Sequence, residues 1–210
     1  MDKETVFSTS YFPPIAVMAA ITKYANNGTV MVERHETFPK QTHRNRTVIM
    51  TANGPMTLSV PVVRTNGNHT TTEQIEISYA ERWNIIHWRA IESAYNASPY
   101  FLYYKDDVER ILSKRYERLL DLNYAIFDWL TKKLKLNIEL VYTREFIKGE
   151  EYSFDFRDLY SYKHPERLPK MEKYHQVFDD RMPFNPNVGI LDLLFNLGPE
   201  TREYLLGVGV

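Results

Sequence analysis

The chain has 210 residues, enough for one domain with a sizeable core, and 43% of them are hydrophobic. Its 26 Lys and Arg residues nearly balance 27 Asp and Glu residues, so the net charge of -1 favours neither nucleic acid nor an anionic membrane. The absence of cysteine excludes disulfides, thiolate metal sites and cysteine nucleophiles. No apolar run approaches the roughly 18 residues that cross a bilayer, and the N-terminal residues lack a signal-peptide pattern. We therefore expect a cytoplasmic protein without membrane insertion.

The first part of the chain predicts a βαβ unit followed by a hairpin. Residues 6–10 and 29–32 are strand-like and flank a segment, 15–24, with apolar residues at helical spacing. This arrangement predicts two parallel strands joined by a helix. Apolar segments at 47–50 and 56–63 then flank an Asn-Gly turn, which is typical of an antiparallel hairpin.

The second half of the chain predicts mainly helices. Two short strands are predicted at 74–78 and 138–142, and helices at 83–97, over 107–136 as two successive segments that meet at residues 118 and 119, and at 189–196. Together these elements predict a single α/β domain over residues 1–210. Its mixed sheet begins with the βαβ unit, continues with the hairpin and is packed with helices. Residues 143–173 stand apart, with 14 charged residues and six Phe or Tyr, and we expect them to form a mobile lid or arm.

The run from residue 40 to residue 47 is the clearest candidate site. Its cations could hold a phosphate or carboxylate, because guanidinium forks match those anions; they are Lys40, Arg44 and Arg46. Asn45 could fix this loop or bind a sugar hydroxyl. The alternative is a solvated loop whose cations pair with Glu33 and Glu36.

Two histidines are candidate bases. His35 follows the strand at 29–32, and side chains at strand carboxyl ends often form sites in α/β folds. The alternative for His35 is an ordinary surface position. His87 lies on an apolar helix face beside Trp83, where it is either a hydrogen-bonded core residue or a neutral base in a pocket.

Tyrosines and a short motif near the C-terminus complete the candidate set. Tyr11 and Tyr95 could shape a pocket, and Tyr174 and Gln176 form a weaker motif ahead of the last helix. The chain has no glycine-rich phosphate loop and no dinucleotide fingerprint, and its histidines are not spaced as metal ligands. We therefore expect no metal and no cofactor.

Several of these motifs occur together in one bacterial family. They are Tyr11-Phe12-Pro13-Pro14, Lys40 with Arg44-Asn45-Arg46, Trp83 with His87 and Tyr95, Tyr174 with Gln176 and Phe178, and residues 190–196. Over about residues 6–200 the chain resembles the WbqC-like proteins, although Ser10 stands where many members have Gln. The resemblance implies an association with gene clusters for surface polysaccharides such as O-antigen, and a transferase role.

These features lead to a ranked set of hypotheses. The first is a transferase acting on a nucleotide-linked sugar or similar small anionic metabolite, with His35, His87, an arginine of the basic run and Tyr11 or Tyr95 facing one cavity. The second is a non-catalytic assembly protein that uses residues 143–173 as a partner surface. The third, a nucleic-acid-binding module, is disfavoured by a pI near 6.6. The oligomeric state is left open.

Overall fold

The computed structural model describes residues 5–25, 28–146, 148–152 and 154–210 as a mixed α/β fold. Its strands, in chain order, are β1 (Thr5–Ser8), β2 (Thr29–Glu33), β3 (Arg46–Thr51), β4 (Gly54–Ser59), β5 (Val62–Val63), β6 (Glu76–Ile77), β7 (Glu139–Tyr142) and β8 (Phe154–Asp155). Its helices are α1 (Ile15–Tyr24), α2 (Trp83–Tyr95), α3 (Phe101–Ser113), α4 (Leu119–Lys133), α5 (Ile190–Leu197) and α6 (Thr201–Gly207). The predicted fold class is confirmed.

A parallel sheet lies at the centre, with strand order β7-β2-β1-β8. The predicted βαβ unit is present, because α1 connects the parallel neighbours β1 and β2. Every α1 residue from Ile15 to Ile21 is buried, which explains why this segment is apolar on all sides. β8 was not predicted, because a two-residue strand carries no periodic pattern.

The predicted hairpin is also present, as β3 and β4, but it forms a two-stranded sheet of its own and does not continue the parallel sheet. Its register runs from Arg46 opposite Ser59 to Thr51 opposite Gly54, and Gly54 adopts a φ of +104° at the turn. The hairpin is shorter than predicted, because the chain leaves β4 at Ser59 and pairs again as β5 with β6.

The two successive helices predicted over 107–136 are present as α3 and α4, and α4 begins at Leu119, the predicted start of the second segment. α3 starts earlier than predicted, at Phe101, and buries Phe101, Tyr104, Val108 and Leu112 at three- and four-residue spacing. Backbone hydrogen bonds to another part of the fold hold the connection between α3 and α4: Ile77 N donates to the Glu117 carbonyl, and Leu119 N donates to the Ile75 carbonyl. Local periodicity cannot reveal such long-range backbone pairing.

Residues 154–161 of the predicted lid are partly built into the core. β8 pairs with β1, and the Phe156 ring stacks on Phe7 at 5.0 Å between centroids. Residues 147 and 153 lie outside the described residues, and mobility of 143–173 stays a prediction. Within the described part of the chain, no helix has the length and apolar composition needed to span a membrane.

A close backbone approach at Gly189 gives the first testable prediction. This residue precedes α5, and its N–H donates to the Val48 carbonyl at 2.8 Å. A Cβ there would overlap Thr47 Oγ1 and lie 3.2 Å from the Phe12 carbonyl oxygen. We expect Gly189→Ala to lower the free energy of unfolding by about 1–3 kcal/mol, as overpacking does, measured by urea denaturation.

Gly207→Ala is the matched control. Gly207 lies at the end of α6, and a Cβ there would meet no atom within 4 Å. Its replacement should be neutral or stabilising, because Ala favours helix more than Gly does. Equal stability changes in the two variants would contradict the role assigned to Gly189.

Candidate functional site

Charged side chains gather at the carboxyl edge of the parallel sheet. β2 and β8 flank β1 on opposite sides, and α/β sheets bind ligands at positions where the strand order reverses in this way. An open cleft of 550 Å³ lies at this edge and is lined by Glu36, Thr37, Phe146, Asp155, Arg157, Asp158, Leu159 and Arg167. Its lining thus combines three carboxylates with two guanidinium groups and one aromatic ring.

Arg44 lies behind this cleft and is fully buried. Its Nε and Nη2 donate to the two oxygens of Glu36 at 2.6 and 2.8 Å, and its Nη1 donates to Asp158 Oδ1 at 3.0 Å. Burial alone would lower the pKa of Arg44, but the two carboxylates raise it above its ordinary value. Arg44 is therefore occupied, and it holds two carboxylates in place instead of meeting a ligand directly.

Glu36 is a candidate proton-transfer group. Burial raises the pKa of its carboxyl above the ordinary value, Arg44 offsets part of that rise, and the nearby Asp158 adds to it. Asp158 is more accessible, with 67% of its side chain exposed. A rigid guanidinium thus orients one nearly buried and one exposed carboxylate toward the same cleft.

Arg157 connects the cleft to the sheet. Its Nε and Nη2 donate to Asp155 at 2.9 and 2.6 Å, and its Nη1 lies 3.4 Å from Glu33 Oε2. Glu33 also accepts from Thr143 Oγ1 at 2.8 Å and from the His35 backbone N–H at 2.7 Å. The ends of β2, β7 and β8 are therefore joined by one ionic and hydrogen-bonded network.

His35 belongs to the outer side of this network. Its Nδ1 lies 3.2 Å from Glu73 Oε1, and its Nε2 lies 3.1 Å from the Thr143 carbonyl oxygen. It is partly buried and is not among the residues that line the cleft. These contacts orient the imidazole away from the two carboxylates held by Arg44.

His87 and Tyr11 form a separate buried pair. The Tyr11 hydroxyl lies 2.8 Å from His87 Nδ1, and the Trp83 ring packs against His87 at 5.1 Å. The pKa of His87 is about 4, because burial lowers it by more than a hydrogen bond with the Ser59 backbone raises it. His87 is therefore neutral at physiological pH, and the geometry is that of a hydrogen-bonded core histidine.

Tyr95, Tyr174 and Gln176 meet at a third place, the carboxylate of Asp192. The Tyr95 hydroxyl donates to Asp192 Oδ1 at 2.9 Å, while the Tyr174 hydroxyl and Gln176 Nε2 donate to Oδ2 at 2.6 and 2.8 Å. Burial raises the pKa of Asp192, and the three donors offset part of the rise. This network ties α2 and residues 174–176 to α5, which is a structural arrangement.

A buried serine and histidine also lie within hydrogen-bond distance. Ser8 Oγ donates to the Arg157 carbonyl at 3.0 Å, so the 2.7 Å contact between Ser8 Oγ and His43 Nε2 is a bond donated by the histidine. Burial and the nearby Arg44 lower the pKa of His43 to about 3. The atoms resemble a nucleophile and its base, but both residues are sealed from solvent.

The remaining members of the basic run have different roles. Asn45 Nδ2 donates to the Val60 carbonyl at 2.9 Å and fixes the loop, as one of its two predicted roles requires. Lys40 is exposed. Arg46 is partly buried, and its guanidinium has no hydrogen-bond or ion-pair partner among the described residues. Of the two arginines, Arg46 is thus the one available to an anion.

The structure therefore does not bring the predicted residues into one cavity: His35 contacts Glu73 and Thr143 on the outer side of the network, and six of the others lie at three further places. Arg44 stands behind the cleft, Tyr11 pairs with His87, and Tyr95, Tyr174 and Gln176 surround Asp192. The sequence patterns indicated Glu36 as one candidate partner of the basic run but did not single out the other groups that line or support the cleft, which are Asp155, Arg157, Asp158 and Arg167. The charge density of 143–173 was the available signal for most of them. No group of three His, Cys, Asp or Glu suited to a metal occurs among the described residues.

The family follows from comparison with known sequences. A model of the WbqC-like protein family matches residues 9–164. The chain belongs to this family. The match begins just after β1 and extends past Asp158, so the WbqC-like region includes Arg44 and both carboxylates that it binds.

The WbqC-like chain is also similar to a protein of Mycobacterium tuberculosis named Uncharacterized protein Rv1507c. The two are 26% identical in a comparison that spans 205 residues, and the match covers 80% of this chain and 83% of the relative. No solved structure matches the chain. The motif resemblance to WbqC-like proteins is thus confirmed at the level of the family.

Proposed function

We propose that this WbqC-like protein is a transferase in surface polysaccharide biosynthesis, acting on a nucleotide-linked sugar or a similar small anionic metabolite. The cleft at the carboxyl edge of the sheet carries this proposal. Its volume of 550 Å³ lies in the range of about 300–1,000 Å³ that is usual for small-molecule sites. The link to polysaccharides rests on the resemblance described above.

The lining of the cleft suits a ligand that has both hydroxyl groups and a negative charge. Carboxylates such as Asp158 accept hydrogen bonds from sugar hydroxyls, and a guanidinium binds a phosphate or carboxylate. Of the two guanidinium groups that line the cleft, that of Arg167 is the more available. Its Nε lies 4.0 Å from the oxygen of its neighbour Glu166, whereas Arg157 donates directly to Asp155. Phe146 is 53% exposed and offers an aromatic face.

The two carboxylates support a specific proton transfer. Asp158 or Glu36 takes the proton from an acceptor hydroxyl or amine, while that acceptor atom bonds to the transferred group and the bond to the leaving phosphate breaks. The negative charge that develops on the leaving group is stabilised by Arg167. Arg44 positions both carboxylates for this role.

Ligand binding tests the proposal. We expect some member of a panel of nucleotide sugars, sugar phosphates and nucleotides to raise the Tm, since a ligand at about 100 times its Kd adds roughly 2.7 kcal/mol of stability. Arg167→Ala should then weaken binding of that ligand about tenfold, as expected for loss of a charge-assisted hydrogen bond. Isothermal titration calorimetry measures the change in Kd.

Arg181→Ala is the matched control, because Arg181 is also exposed, pairs with Asp180 and does not line the cleft. It should leave the Kd unchanged. If no compound in the panel stabilises the protein, or if both arginine variants bind equally well, the cleft is not the site proposed here.

An assembly role is the second candidate, favoured by exposed apolar groups in residues 143–173. They are Phe146, Phe154 and Leu159. Such a role requires a protein partner that binds through these side chains, and Phe154→Ser would abolish its binding. A transferase would keep its ligand affinity in that variant, because Phe154 does not line the cleft.

A further inference from the structure

A small, largely enclosed cavity lies near the carboxyl ends of β1, β2 and β7. It is lined by residues 8–10 at the end of β1, by Val32 and Leu140 of the neighbouring strands, and by Asn123 and Phe127 of α4. The space open to the centre of a water molecule is 20 Å³. This space is far smaller than the roughly 300 Å³ of the smallest usual metabolite sites. The cavity therefore admits a water molecule and excludes a metabolite.

Two buried polar atoms of this lining have no partner among the described residues. They are Ser10 Oγ and Asn123 Oδ1. The orientation of the Asn123 amide is fixed, because its Nδ2 donates to the Arg44 carbonyl at 2.8 Å. Asn123 Oδ1 can only accept a hydrogen bond, whereas the serine hydroxyl can both donate and accept.

We propose that the cavity is a binding site for one ordered water molecule that bridges Ser10 and Asn123. The water donates to Asn123 Oδ1 and forms its second bond with Ser10 Oγ. Water is the ligand of choice because the remaining walls include Val32, Phe127 and Leu140, which offer an ion no countercharge. The inference is independent of the transferase proposal.

This water has a defined structural role. It connects the end of β1 to α4, and Asn123 extends that connection to the backbone of Arg44. Arg44 in turn binds Glu36 and Asp158 at the cleft. The water is thus part of the support that fixes the two cleft carboxylates, although it does not touch the cleft itself.

A high-resolution crystal structure of the full chain is the direct test. We expect a spherical density peak within about 2.7–3.2 Å of both Ser10 Oγ and Asn123 Oδ1. An empty cavity would overturn the proposal, and so would a structure in which the two side chains bond directly to each other.

Two substitutions at Ser10 give a second test by thermal denaturation. Ser10→Val places methyl groups in the cavity and excludes the water, whereas Ser10→Ala leaves the space. We expect the valine variant to have a Tm about 2–4 °C below that of the alanine variant, because Asn123 Oδ1 loses its partner. A dry cavity predicts the reverse order, since filling an empty apolar space is stabilising.

Discussion

Arg44→Met is expected to lower the free energy of unfolding by about 3–5 kcal/mol, the usual cost of removing one partner of a buried ion pair. The reason is that Glu36 would keep a buried negative charge with both of its guanidinium donors lost. Asp158 adds little to the effect, because its exposed carboxylate returns to water. Urea denaturation at neutral pH measures the change.

Two further variants show whether the cost comes from the unpaired charge. Arg89→Met changes the same residue type at an exposed position of α2 and should be nearly neutral. The double variant Arg44→Met with Glu36→Gln should recover part of the loss, since no buried charge is then left alone. An Arg44→Met protein as stable as Arg89→Met would rule out the pairing described here.

Acid is expected to destabilise this protein through two buried histidines. The pKa of His43 is lowered to about 3 and that of His87 to about 4, from an ordinary 6.5. Between pH 6.5 and these values the unfolded chain binds protons that the folded chain does not, so stability falls as the pH falls. Each histidine should account for a loss of about 3 kcal/mol by about pH 4.

The measurement is the free energy of unfolding as a function of pH, in wild type and in His87→Gln. A glutamine can still exchange hydrogen bonds with Tyr11 but does not titrate, so the slope of stability against pH should fall by about one proton. His69→Gln is the control, because His69 is exposed on a loop. If the slope is the same in wild type and in His87→Gln, His87 is not held neutral in the folded state.

Glu36 and Asp192 act in the opposite direction, since their raised pKa values favour the folded state in acid.

Local patterns were sufficient for the parts of the fold that depend on neighbours in sequence. The βαβ start followed from two apolar strands around a helix, and the hairpin followed from the Asn-Gly turn. β8 and the backbone pairing that holds the connection between α3 and α4 could not be predicted in this way. Both depend on backbone hydrogen bonds to residues far away in sequence, namely Val6 for β8 and Ile75 for the start of α4.

The candidate site also depends on contacts between residues that are distant in sequence. Arg44 was recognised as unusual, and two alternatives were left open: an external anion, or pairing with Glu33 and Glu36. The structure pairs Arg44 with Glu36, eight residues earlier, and with Asp158, 114 residues later. A sequence pattern contains the charges but not the contact between them. The function of the basic run as a support for carboxylates therefore becomes evident only in three dimensions.

The position of β8 has a consequence for the order in which the cleft forms. One wall comes from Glu36 and Thr37, while the other includes Phe146, Asp155 and Asp158, and β8 attaches that part of the chain to β1. Contacts between such distant segments form late, because closing a long loop costs entropy before any contact repays it. We therefore expect the cleft to be among the last parts of the sheet edge to form. A ligand that touches both walls would connect the two segments and oppose their separation.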